Sequence, residues 1–343
     1  MAIIDKPKDH FNPLIYSGNG QNATAISGLD FQPDWVWLKK RNSGTDHILF
    51  DAVRGVYNNL KINTTNAQAA DSNQLQSFNS NGFTLGSEAD GNASGGTYCS
   101  WNWKANGSGS NNTEGSQAAT VSANTTAGFS IVKVVKSGTS VVTVGHGLNT
   151  APSLIIGKST SGTSNFITYH KSVGNQYAVY LNVNGGKTDS ATFWNDTSPT
   201  STLFTLGSDN SWNGTNIFYC FSDIPGYFST GQYVGNGNVN GPFIYTGFKP
   251  AYIMLGNTTS DSNWRMMDNA RNPINPVDKW LHSNNGSNEY TQTNLMNFVS
   301  NGVKIGVSGN APNASGQTYT YMVWAETPLV TSTDNGSIPG TAR

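Results

Sequence analysis

Apolar residues in this chain come in short alternating runs set between Gly, Asn, Ser and Thr. In "FQPDWVWLKKR", from Phe31, Trp35 and Trp37 fall on one face of an extended strand, and Val36 and Leu38 on the other. In "FKPAYIMLGN", from Phe248, Tyr252 and Met254 oppose Ile253 and Leu255. A run apolar on both faces predicts a strand covered on both sides. Pro33 and Pro250 stand at its start, where a missing N–H is tolerated. "IVKVVKSGTSVVTVGHG" reads as two strands around a Ser-Gly turn. "LQSFNSNGFTLG" and "LMNFVSNGVKIG" read as hairpins with Asn-Gly at the turn. The segments "QAADSNQ" and "NEYTQTN" have room for a helical turn each, and no other helix is expected.

The pattern repeats. Gly18, Phe31, Pro33, Asp51 and Arg54 recur as Gly235, Phe248, Pro250, Asp268 and Arg271, each pair 217 residues apart. Farther along, Gly82 answers to Gly302 and Trp103 to Trp324, at offsets of 220 and 221. A more diverged copy lies between them. Pro152 follows Pro33 by 119 residues, and His170 stands where Asp51 does, again 119 on. Self-similarity at this scale predicts one supersecondary unit used several times. Short strands with frequent turn signals make each unit a β-sandwich or jelly roll. The expected architecture is all-β, with three tandem sandwich repeats. An arm covers 1–10, units cover 11–105, 128–225 and 226–328, and a polar tail covers 329–343. The Ser/Asn/Gly-rich stretch 106–127 reads as a flexible linker, so the second and third units are expected to pair more firmly than the first and second.

Composition narrows the function. The 343 residues carry 19 basic and 20 acidic side chains, and only 11% are charged. A nucleic-acid partner would need a basic face, so none is expected. No apolar run approaches the roughly 20 residues of a membrane span. The N-terminus, "MAIIDKPKDHF", lacks the apolar core of a secretory signal. Cys99 and Cys220 sit in aromatic strands and read as buried free thiols.

No nucleophile elbow, phosphate-binding loop or metal-ligand spacing is found, and no cofactor is expected. Asp51, Asp223, Asp268 and Glu326 could be paired carboxylates of a glycoside hydrolase. But Asp51 and Asp268 each have an Arg three residues on, which reads as a brace needed for folding. The aromatics Trp194, Trp212, Trp264 and Tyr290 lie beside polar loop residues. They could form a sugar platform or pack over sandwich edges.

The combination of "YSGNG", "DAVRG", "FNSNGFTLG", "TYCSWNWKA", "VGHGL", "YVGNG", "DNAR" and "YMVWAE" resembles a repeated module of structural proteins from marine tailed bacteriophages. The resemblance implies a non-catalytic virion protein, assembled in the host cytoplasm and displayed outside the particle. It implies a homo-oligomer, with a trimer expected from phage practice, contacting other virion proteins and host surface glycans. With no heptad shaft, a short fibre or tail-associated adhesin is the first expectation. A capsid-decoration protein and a jelly-roll carbohydrate-active enzyme are the alternatives.

Overall fold

Trp35–Lys40 is a strand buried on both faces, as its alternation requires. Trp35 and Trp37 enter one hydrophobic cluster, and Val36 and Leu38 a different one. The same division separates Tyr252 and Met254 from Ile253 and Leu255, and Leu154 and Ile156 from Ile155. The computed structural model describes residues 3–309 and 311–331. Among these, helix is limited to single turns such as Ala89–Asn92 and Ala191–Trp194. Neither falls on the two segments expected to hold one: "NEYTQTN" opens the strand Tyr290–Val299.

Each third of the chain builds one large sheet. Its opening strand is Phe11–Ser17, Phe129–Lys136 or Phe228–Val234. Its closing strand is Thr97–Trp103, Gly214–Phe221 or Thr318–Pro328. In all three sheets the opening strand pairs with the closing strand. The closing strand then pairs with Trp35–Lys40, Leu154–Ser159 or Phe248–Asn257. Ile48–Asp51, Ile167–His170 or Arg265–Asp268 follows as the next strand. The strand order, and backbone bonds such as Ala52 N to Asp34 O and Lys171 N to Ser153 O, therefore recur at the offsets of the sequence repeats.

Smaller strands cover the outer faces. They are Thr24–Ser27, Leu75–Asn79 and Gly82–Leu85 in the first third, and Val142–Gly145 with Leu203–Leu206 in the second. In the last third they continue the large sheet, which curls over through Tyr290–Val299, Gly302–Ile305 and Phe243–Tyr245. Gly82 and Gly302 are required less by the hairpin turn than by close approach. A Cβ at either would collide with the carbonyl oxygen of Ile26 or Ile244 on the neighbouring strand.

The inner faces of the three sheets share one core, so the layers are not three independent sandwiches. The central cluster takes Phe11, Trp35 and Trp103 from the first third, Phe129, Tyr219 and Phe221 from the second, and Phe228, Tyr252 and Trp324 from the last. Trp103, Phe221 and Trp324 occupy one position on the three closing strands and meet edge to face. Ring centroids are 6.3 Å apart for Trp103–Phe221, 5.4 Å for Trp103–Trp324 and 5.2 Å for Phe221–Trp324. Trp35 stacks on Tyr219 at 4.2 Å. Each such fully buried aromatic is worth roughly 1.5–3 kcal/mol of transfer free energy.

Two expectations change as a result. The first and second thirds are joined as directly as the second and third. And the stretch 106–127 is not slack: Ser110–Asn112 pairs with Ala119–Asn124, which adds to Phe129–Lys136. Gly, Ser and Asn side chains signal a linker, but the backbone pairs regardless, and Ala119 and Val121 are buried. The N-terminal arm likewise joins the core through Ile4. The polar tail beyond Thr331 lies outside the described residues.

Candidate functional site

The Asp–Arg pairs are turn braces, and each also reaches toward a neighbouring sheet. Asp51 Oδ1 accepts from the Arg54 backbone N–H at 2.8 Å, and Oδ2 from Arg54 Nε at 2.5 Å. Asp268 and Arg271 repeat this at 2.8 and 2.6 Å. All four residues are buried. The second carboxylate oxygen also accepts from another third of the chain: Tyr219 Oη donates to Asp51 at 2.8 Å, and Trp101 Nε1 to Asp268 at 3.1 Å. Burial pulls the Arg54 pKa down, but the Asp51 charge and Tyr219 outweigh it and hold the guanidinium above its ordinary value.

His170 takes the equivalent place in the second third. Its Nε2 lies 3.0 Å from Tyr321 O, and its Nδ1 2.9 Å from Ser172 Oγ. Burial lowers its pKa to about 4, so the neutral ring donates to the Tyr321 carbonyl. The three braces run round the molecule in one sense: first third to second, second to third, third to first.

Of the four aromatics read as a sugar platform, three are interior. Trp194, Trp212 and Trp264 are 2%, 0% and 1% exposed. Trp212 Nε1 donates to Phe193 O, and Trp264 Nε1 to Tyr180 O, from the last third of the chain to the second. Their polar neighbours lie in short connecting segments, but the rings themselves belong to the hydrophobic clusters. Only Tyr290 reaches solvent, at 39% exposure, and it stacks on Trp280 at 5.3 Å. The four are not brought together as one surface. Pro33, Pro152 and Pro250 are all buried two residues before Trp35, Leu154 and Tyr252, with Pro250 at a bulge in its strand. Asp223 accepts from Ser153 Oγ and Thr230, and Glu326 pairs with Lys249 at 2.9 Å.

Two structural devices escaped the sequence reading. Lys39 and Lys158 hold equivalent positions, are wholly buried, and bridge to the preceding third. Lys39 Nζ donates to Gly286 O at 3.2 Å and Lys158 Nζ to Thr65 O at 2.9 Å. Burial lowers both to a pKa of about 8. Asn92 and Asn313 are hooks for the Gly-Asn-Gly turns: each accepts from the turn, at Asn19 N or Asn236 N, and donates to Gly86 O or Val307 O. Asn213 accepts from Gly138 N in the second third. The signal was an Asn at the same offset as the Trp103 and Trp324 landmarks.

The surface also carries cavities, two of which border the last third. One, of about 500 Å³, is lined by Asn269, Asn272, Ile274 and Phe298, with the Lys249–Glu326 pair at its wall. The other, of about 310 Å³, is lined by Asn184, Asn257, Asp261, Asn263, Arg265 and Tyr319. It lies where the second and last thirds meet. Among the described residues no three His, Cys, Asp or Glu side chains gather as metal ligands. No curated protein matches this chain, and no solved structure does. A family model described as a domain of unknown function, DUF7483, matches residues 6–328 as one span, and the chain belongs to that family.

Proposed function

We propose that this chain is a non-catalytic structural and interaction protein, and that it serves as a surface component of a bacteriophage virion. The observation that carries the first half is the use made of its buried charges. Asp51, Asp268 and His170, which an acid–base reading would recruit, each bond across to another sheet. A catalytic group must change its bonding during a reaction, whereas these hold the molecule closed. The second half rests on the sequence resemblance to virion structural modules. A short fibre or tail-associated role fits a chain whose extended strands are gathered round one core rather than strung along a shaft.

The three-way contact of Trp103, Phe221 and Trp324 is already made within one chain. Association of copies, as a trimer or otherwise, would therefore use outer surfaces. The exposed Phe243 and Tyr245, on the strand that ends the last sheet, are available for contact with a virion partner. Labelling purified particles with an antibody to the chain, and imaging them, tests the assignment. Signal at one fixed place on the intact particle is expected, and a chain found only in the lysate would refute it. Incubation with bacterial surface polysaccharide should yield no cleavage. Cleavage lost on changing one Asp or Glu would replace this reading with the enzyme.

A further inference from the structure

Arg265 breaks the repeat. It pairs with Leu255 as Ile48 pairs with Leu38, and as Ile167 pairs with Gly157. Ile48 and Ile167 are buried in their outer clusters. The fold therefore asks for an apolar side chain here, and only the last third places a guanidinium. Arg41, Arg54 and Arg271 each pair with a carboxylate. Among the described residues Arg265 has no such partner. Its Nε and Nη1 are sealed from solvent and make no hydrogen bond, which leaves Nη2 as the nitrogen for a ligand to meet, and its charge rests on the Trp280 ring at 4.7 Å. An uncompensated, partly buried cation is costly. Burial, partly offset by Tyr319 and Tyr233, lowers its pKa to about 10, so it stays charged at neutral pH.

Arg265 lines the 310 Å³ cavity, and the other walls supply hydrogen-bonding groups. Asn284 Nδ2 donates to the Oδ1 atoms of both Asn184 and Asn263, which leaves their NH₂ groups as donors outside that contact. Ser260 Oγ accepts from Asn257 Nδ2, so its own O–H is available to donate. Asp261 is the one opposing charge, and it lies exposed in the wall. A positive charge beside several amide and hydroxyl groups suits a ligand with one anionic group on a hydroxyl-bearing body. We propose that this cavity binds an acidic saccharide, whose carboxylate supplies the counter-charge that Arg265 lacks and whose hydroxyls meet the amides of Asn184 and Asn263.

The inference goes beyond the structural role proposed above, and its failure would leave that role untouched. Calorimetric titration of the whole protein with galacturonate, galactose, acetate and phosphate tests it. Galacturonate should bind, and each of the other three should bind at least about tenfold more weakly, since each lacks either the charge or the sugar body. R265I copies the residue of the other two units; it should keep a cooperative thermal transition and lose galacturonate binding. Should R265I fail to fold, R265M carries the same expectation, because it keeps the length of the side chain over Trp280. No binding of galacturonate, equal binding of acetate or phosphate, or full binding by a folded neutral variant overturns the proposal.

Discussion

The Tyr219 hydroxyl donates to Asp51 Oδ2 at 2.8 Å, and the two residues belong to different sheets. Asp51 thus closes its own turn through Arg54 and clamps the neighbouring closing strand with the same oxygen. Removing the carboxylate strands a buried guanidinium, whereas removing the phenol hydroxyl deletes one bond. D51A should lower unfolding free energy by about 3–5 kcal/mol, and Y219F by about 1–3 kcal/mol. Urea unfolding of both variants checks the order. A D51A protein as stable as Y219F would mean that the brace does not hold the sheets.

The same argument applied to the core predicts a larger and less local effect. Trp103 touches Phe221 and Trp324, so W103A opens a cavity among all three sheets at once. A loss of about 3–5 kcal/mol is expected. It should appear as a lower midpoint for the entire chain, not as a separate early transition of residues 11–105. Differential scanning calorimetry distinguishes the two.

Acid should weaken the fold before the carboxylates titrate. Burial, partly offset by the Tyr321 carbonyl, lowers the pKa of His170 to about 4. The unfolded chain has the ordinary histidine value near 6.5. Between these values the unfolded state binds a proton that the folded state refuses. The stabilising contribution is thus complete above about pH 6.5 and lost as pH falls toward 4, an effect of about 3 kcal/mol for this residue. His47 and His282 are lowered in the same direction, chiefly by burial. Unfolding free energies measured from pH 7 to pH 4 should fall steadily, and H170Q should reduce the slope. An unchanged slope would place the acid sensitivity elsewhere.

Much of this fold was legible as pattern. Alternation at Trp35–Leu38 announced burial on both faces, and the Asp51–Arg54 spacing announced a brace at the turn. What the pattern could not say was what lies on the second face. A strand covered by its own hairpin looks the same, residue by residue, as one covered by another unit of the chain. The shared core of Trp103, Phe221 and Trp324 was hidden for that reason. Trp194, Trp212 and Trp264 misled because neighbouring Asn and Asp residues signal a loop, while the rings themselves enter the hydrophobic clusters. Arg265 has no mark of its own in the sequence, because a lone arginine beside a tryptophan looks like surface. Only register against Ile48 and Ile167 shows that it stands where the other two thirds place a buried isoleucine.

The two cysteines test whether the chain unfolds as one body. Cys99 lies in the central cluster, and Cys220 in the outer cluster of the second third. Both are fully buried, and burial pushes the Cys99 thiol up to about 12 and raises Cys220 as well. Neither can react as a thiolate while folded, so labelling reports opening. Independent sandwiches would expose Cys99 and Cys220 at different denaturant concentrations. Sheets that share Trp35, Tyr219 and Trp324 cannot lose one member without exposing the inner faces of the others. Pulse labelling across a urea series, read by mass on C99A and C220A proteins, should therefore give coincident transitions, each shifted only by its own substitution. Cys220 labelled fully while Cys99 stays protected, or the reverse, would show that the central cluster does not couple the three sheets.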